Sequence, residues 1–196
     1  MTPVSLRSIA RVACLSLLCG LVLCGCGAED GPGLERFSGV KRFDAFRVYY
    51  AGKEVAGLPL EDIEGAEGGY YVPSTGWSFY YGDCDPPSGL FAEGGCELPL
   101  QIQNYSICRR WAGLLHRKHR IVGFRGAKTA GSGNGIGNPV EIFTGRTTVV
   151  IFATHGSVAR SAARQLRNVR QAQPALLPPP VPGSLQGKLP CQRKPG

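Results

Sequence analysis

Acidic residues nearly vanish from the second half of this chain. Between Leu98 and Gly196, Glu141 is the lone carboxylate against 15 Lys and Arg. Histidine is equally sparse, at His116, His119 and His155. His116 and His119 have the spacing to share one helical face, but no third ligand lies near them in sequence, so a catalytic metal site is disfavoured. Eleven residues separate Cys84 from Cys96, and eleven separate Cys96 from Cys108. Zinc ligand pairs are two to four residues apart, which argues against a structural metal. The Gly-x-Ser-x-Gly nucleophile elbow is missing. Gly126-Ala127-Lys128-Thr129 lacks the Gly directly before Lys that a phosphate loop needs. Long apolar runs are missing outside the extreme N-terminus, which excludes a multi-span membrane protein. No internal repeat is present, and no cofactor is implied.

What is there fits a packed domain. Apolar residues make up 43% and charged residues 18% of the 196 positions, too hydrophobic for wholesale disorder. The length suits one domain with tails, since domains run to roughly 100–200 residues.

Residues 1–25 read as an export signal. Arg7 and Arg11 give a basic start without an acid, and Val12 to Leu23 is an uncharged, mostly apolar run. Its twelve residues, at about 1.5 Å each, are too short to cross a bilayer as a helix. Leu23-Cys24-Gly25-Cys26 follows. This segment resembles the lipobox of bacterial lipoproteins, with an aliphatic residue three before the acceptor cysteine and Gly directly before it. Cys24 departs from that pattern, where a small or aliphatic residue is usual. The resemblance implies that Cys26 becomes the mature N-terminus, carries a diacylglyceryl group and anchors the protein to the extracytoplasmic face of the cell membrane. Each buried methylene contributes about 0.8 kcal/mol, so two or more chains anchor stably where one does not. The competing reading is a plain signal peptide cut after Ala28, which places Cys26 at a position that prefers a small residue.

Export leaves Cys84, Cys96, Cys108 and Cys191 in an oxidising compartment, where four cysteines read as two disulfides. Cys84 and Cys96 bracket a Pro- and Gly-rich turn and are expected to pair with each other. Cys108–Cys191 is then the second bridge, closing a long loop worth roughly 3–5 kcal/mol in the chain-entropy picture. The pairing Cys96–Cys108 with Cys84–Cys191 also remains open.

The expected fold class is α+β: a small, mainly antiparallel sheet of five or six strands with one late amphipathic helix, stapled by disulfides. Residues 26–40 are polar and Gly-rich and read as the lipidated N-terminus and a flexible tether. Residues 41–172 form the domain. Strand candidates are Phe46–Tyr50, Trp77–Tyr81, Leu98–Tyr105, Ile121–Phe124, Val140–Phe143 and Thr147–Phe152, from alternation and β-branched or aromatic content. A Gly-rich loop spans residues 131–137. The helix is expected over Ser157–Arg170, with Thr154 or Ser157 as its cap. Residues 173–196 hold seven prolines and read as an extended tail without core, tied back by Cys191. Tyr81-Gly82-Asp83-Cys84, then Gly94-Gly95-Cys96 with Pro99 and Gln103, together with the closing strand and Arg-rich helix, resemble uncharacterised exported proteins of high-GC Gram-positive bacteria. That resemblance implies no activity.

Charge carries the remaining functional signal. Residues 26–97 hold 5 basic and 13 acidic side chains, the reverse of the second half. Such asymmetry steers an anionic partner to one region, or lets the two halves complement each other across one sheet. The basic focus is Arg109, Arg110, Trp111, Arg117, Lys118 and Arg120. Trp111, Leu114 and Leu115 share one helical spacing there. They either dip into lipid headgroups beside the cations or plug the core beneath a solvated face. Outside the cytoplasm nucleic acid is a poor partner, so anionic lipid or cell-wall polymer is the expected contact. The rival reading is an exported hydrolase around His155, with Asp83 or Glu141 as its carboxylate. Asp83 and Asp85 otherwise read as turn formers.

Overall fold

The computed structural model describes residues 32–65, 76–83, 98–107, 120–131 and 139–186. All eight cysteines, including Cys26, Cys84, Cys96, Cys108 and Cys191, lie outside the described residues. So do Arg109, Arg110, Trp111, His116, Arg117, Lys118, His119 and most of the Gly-rich loop.

The chain is α+β and its sheet is antiparallel throughout. Helix α1 (Pro32–Arg42) leads into strand β1 (Tyr49–Tyr50). Strands β2 (Glu54–Val55), β3 (Leu58–Glu64), β4 (Trp77–Tyr81) and β5 (Leu100–Ser106) form one meander. Strands β6 (Val122–Phe124), β7 (Ala127–Ala130), β8 (Val140–Thr144) and β9 (Thr147–Ala153) form a second. The meanders join through β5 and β9, which pair from Leu100↔Ala153 to Ser106↔Thr147, in the order β2-β3-β4-β5-β9-β8-β7-β6. Helix α2 (Gly156–Gln165) follows, and β10 (Arg167–Asn168) pairs with β1 as a separate two-stranded ladder.

The main sheet therefore has eight strands, where the pattern suggested five or six. The additions are β2, β3 and β7. Strand β3 (LPLEDIE) carries three acids and a proline, and β7 (AKTA) is made of small or polar residues, so neither has a strong strand signature. The residues expected to be a flexible tether also differ. Pro32, suited to a first helical turn, opens α1, and Val40 of that helix is fully buried. The late helix is shorter than expected. Leu166 turns to φ −55°, ψ 127°, and the chain runs on as β10, so Leu166 reaches the core from extended backbone and Val169 from the turn after β10. Its cap position is His155, which makes no side-chain cap bond, in place of Thr154 or Ser157.

Two-residue hairpins set the registers. Ala56-Gly57 (φ 51°, 83°) and Arg125-Gly126 (φ 48°, 89°) have the paired positive φ values of type I′ turns. Arg125 takes a conformation costing an L residue roughly 1–2 kcal/mol. Its guanidinium offsets that by donating to the carbonyls of Ala163 (3.0 Å), Arg164 (2.9 Å) and Leu166 (3.0 Å) at the end of α2, and to Ala175. Gly126 has no alternative, because a Cβ there would sit 2.4 Å from the carbonyl oxygen of Leu177.

That contact belongs to the Pro-rich segment. Expected to carry no core, it holds the buried Leu177, and a 3-10 turn (Ser184–Gln186) follows. Leu177 N–H donates to Arg125 O, Gly145 N–H to Pro178 O, Thr144 Oγ1 to Pro178 O, and Val181 N–H to Gly145 O. The segment straps the β6–β7 and β8–β9 turns together.

One face of the sheet is apolar. Ile63, Phe79, Ile102, Ile151 and Val140 lie in lateral register, flanked by Leu100, Ala153, Val149 and Ile142. Above it sit α1, α2 and residues 46–51. Ala159, Ala162 and Ala163 let α2 approach closely. The segment 47–51 crosses this face, and sheet side chains take its backbone bonds. Thr147 Oγ1 donates to Arg47 O (2.6 Å), and Ala51 N–H donates to Tyr81 Oη (3.0 Å). Asn104, fully buried, accepts from Tyr49 N–H (2.7 Å) and donates to Tyr49 O (2.8 Å). Asn104→Ala would strand both Tyr49 groups in the core. The expected loss is about 3 kcal/mol of unfolding free energy, read from the urea midpoint, with Gln101→Ala on the opposite face as the mild control.

Candidate functional site

The second face of the sheet is mixed: Ile107, Ala130 and Phe143 form a small buried cluster with Leu185 against it, and the rest is largely polar. Glu64, Ser78, Gln103, Val150 and Glu141 form a lateral row, with Asp62, Tyr80, Gln101 and Phe152 beside it. Its centre is buried: Ser78, Thr148 and Glu141 are fully enclosed and Gln103 nearly so. Tyr80 Oη donates to the Glu64 carboxylate (2.5 Å), and Tyr105 Oη to Gln103 Oε1. Burial, reinforced by the Glu64 carboxylate, pushes the Tyr80 phenol well above its ordinary range. Burial alone pushes Tyr105 up to about 12.

The three residues considered for hydrolysis are not gathered. His155 is exposed, in extended backbone (φ −126°, ψ 137°), and its carbonyl accepts the Val158 and Ala159 amides that start α2. Asp83 is exposed just beyond β4. It shares an end of the sheet with His155, because Tyr81, Leu100 and Ala153 are in lateral register. Two strand spacings separate β4 from β9, roughly 10 Å. Glu141 hangs from the polar face, opposite α2. No hydroxyl bonds to His155 among the described residues, and no group of three His, Cys, Asp or Glu there is placed to hold a metal ion.

A shallow groove of about 420 Å³ opens where α1 ends, lined in part by Phe43, Asp44, Arg47, Asn168 and Arg170. Arg170 is one of its lining residues and ties the end of α1 to the segment after β10. Nε donates to Lys41 O and Nη2 to Phe43 O (both 2.9 Å), satisfying carbonyls at the α1 C-terminus where a cation is favoured. Asn168 Oδ1 accepts from Arg170 N–H (2.8 Å). Arg47 stays exposed at the rim. Among the described residues its polar lining includes the Asp44 carboxylate and the exposed Arg47 guanidinium, which suits a small polar or anionic group.

Surface charge is the stronger feature. Arg160 and Arg164, one turn apart on the outer side of α2, are exposed with no carboxylate partner among the described residues. Lys41 and Arg42 are exposed at the end of α1, Lys41 over the Phe37 ring. Arg120, the member of the expected basic cluster that is described, is exposed as well. The ion pair between described side chains is Arg36–Asp62 (2.7 Å), at the β3 edge, where Arg36 also donates to Ile63 O. Sequence reasoning placed the cationic surface in residues 109–120 and passed over the contribution of α1. The periodic arginines of the late helix were its available signal. No protein family, curated protein or solved structure matches this chain.

The raised phenols predict alkaline sensitivity. Unfolded tyrosine ionises near pH 10, whereas Tyr105 in the fold holds its proton to about 12. The unfolded chain therefore loses protons first. The stability contributed is complete below about pH 10 and falls as pH rises from there through about 12. The urea midpoint should drop between pH 9 and pH 11, and the drop should be smaller in Tyr105→Phe.

Proposed function

We propose that the chain is a lipid-anchored extracytoplasmic binding protein, acylated at Cys26, whose basic C-terminal half contacts anionic membrane or cell-wall material. Two disulfides, Cys84–Cys96 and Cys108–Cys191, would staple it. The supporting observation is the strand order. Strands β2, β3 and β4 come from the acidic half of the sequence and β6 to β9 from the basic half, and they occupy opposite ends of one sheet on either side of the uncharged β5. The strands are not interleaved, so the two charge populations do not neutralise each other pair by pair. The exposed arginines of α2 agree with this reading, because cations held for an anionic partner need no carboxylate of their own. No helix among the described residues is long and apolar enough to cross a membrane, so on this reading attachment rests on the lipid and on surface charge.

Two measurements test the proposal. The non-reduced intact mass of protein extracted from the producing cell's membranes should match diacylated Cys26 onward, less the hydrogens lost in two disulfides. A mass beginning after Ala28 without lipid would overturn the anchor. Separately, the unacylated Cys26→Ser chain from residue 26 onward should sediment with vesicles containing phosphatidylglycerol and not with phosphatidylcholine alone. Arg117→Glu with Lys118→Glu should weaken this by about tenfold or more, at about 1 kcal/mol per basic residue near such a surface. Equal binding by the double variant would remove residues 109–120 from the contact.

A further inference from the structure

We infer that the side bearing the helices is the membrane-facing surface of this protein, with α2 supplying the charges and Val122 and Leu176 entering between anionic headgroups. This rests on the proposed binding to anionic lipid and assigns it to a different place from residues 109–120. The helix side and the polar side differ in charge. Outward from the helix layer stand Lys41, Arg42, Arg47, Arg160 and Arg164, against the single exposed carboxylate of Asp44 among its described residues. Glu64 and Glu141 belong to the other face. Arg160 and Arg164 sit at i and i+4, a like-charge spacing that costs a helix stability unless an anion lies over it.

Charge alone would suit any polyanion in water. Exposed aliphatic side chains separate a bilayer from the rest. The large hydrophobic residues most exposed among those described are Ile121 (40%), Val122 (44%) and Leu176 (82%); the first two stand at the start of β6 and Leu176 beside the turn that follows it. Val122 is in register with Thr129 and through it with Ile142, so it lies on the helix-bearing side beyond the cover of α2. Leu176 follows Ala175, whose carbonyl is held by the same Arg125 guanidinium that caps α2. Exposed apolar side chains together with the exposed Arg120 and Arg164 form the pattern of an interfacial membrane contact. Strand addition by a peptide is a weaker match, because β6 has three residues and Leu176 stands outside it. The anchor agrees. The chain from Cys26 to Pro32 reaches about 20 Å at most, and Pro32 begins a helix of this same layer.

The test uses the Cys26→Ser chain from residue 26 onward, with phosphatidylglycerol-containing vesicles and a soluble acidic polysaccharide as parallel probes. Arg160→Glu should weaken vesicle binding severalfold, and Arg160→Glu with Arg164→Glu by about tenfold or more. Lys128→Glu makes the same change in net charge on the polar face and should leave binding within about twofold. Leu176→Ser should weaken binding to vesicles and leave binding to the polysaccharide unchanged. All four side chains are exposed, and equal urea midpoints will confirm that the variants fold. If Arg160→Glu and Lys128→Glu weaken binding equally, affinity follows net charge and the assignment of a face is overturned. Loss with Arg117→Glu and Lys118→Glu but none with the α2 variants overturns this inference and leaves the proposed function standing. Equal binding to both probes, insensitive to Leu176→Ser, makes the partner an acidic polymer and overturns the bilayer. A chain that ignores anionic vesicles altogether overturns both readings.

Discussion

The backbone of residues 47–51 lies across the apolar face of the sheet, where no strand can pair with it in the plane. Extended backbone buried there would strand several donors and acceptors, each costing about 1–3 kcal/mol. The fold meets this with Thr147, Asn104 and Tyr81, which present an oxygen or an amide at alternate residues of the crossing segment. The other side of the segment is served by β10, through the Tyr49–Tyr50 ladder and the Val169 amide on Val48 O. Three strands, α2's exit and the entry from α1 are thereby tied to one stretch of chain. Asn104 is the centre of that arrangement because an amide side chain can donate and accept toward the same peptide group.

The strap formed by residues 175–181 does a related job at the end of the sheet. Type I′ turns demand positive φ values, and Arg125 holds one of them because its side chain is committed to four carbonyls across α2 and the strap. Prolines suit the strap, since their fixed φ lowers the entropy lost on ordering and their carbonyls remain free to accept. The hairpin, the helix end and the strap are held as one unit, and the exposed Leu176 is carried on it.

Two polarities are superimposed on this frame. Along the sheet, the acidic and basic halves of the sequence stay apart because β2 to β4 lie on one side of the uncharged β5 and β6 to β9 on the other. Through the sheet, Ile63, Phe79, Tyr81, Ile102 and Ile151 face the helices, while Glu64, Tyr80, Gln101, Gln103 and Glu141 face the other way. A catalytic reading would need His155 and a carboxylate to converge. The topology sends His155 to the start of α2 and Glu141 to the middle of the far face. A binding surface needs only that like charges be left unpaired on one side, which the outer faces of α1 and α2 supply.

Periodicity alone determined the strands at Trp77–Tyr81, Leu100–Ser106, Val140–Thr144 and Thr147–Ala153, because each alternates or is β-branched enough to pack on a pleated surface. It also determined an Arg-studded helix after β9, and composition determined the opposed charge of the two halves. Tertiary structure decided the rest. Strands β2, β3 and β7 exist because neighbours offer them a ladder, which their own residues do not announce. Helix α1 exists because Val40 and Phe37 have the core and Tyr50 to pack against. The role of Asn104 could not be read at all, since in sequence it is one polar residue in an alternating strand. Its partner is Tyr49, 55 residues away, and hydrogen bonds between backbone and a distant side chain leave no periodic trace. Charge placement divides the same way: the sequence holds how many cations there are, and only the packing of α1 and α2 on one face decides that they look outward together.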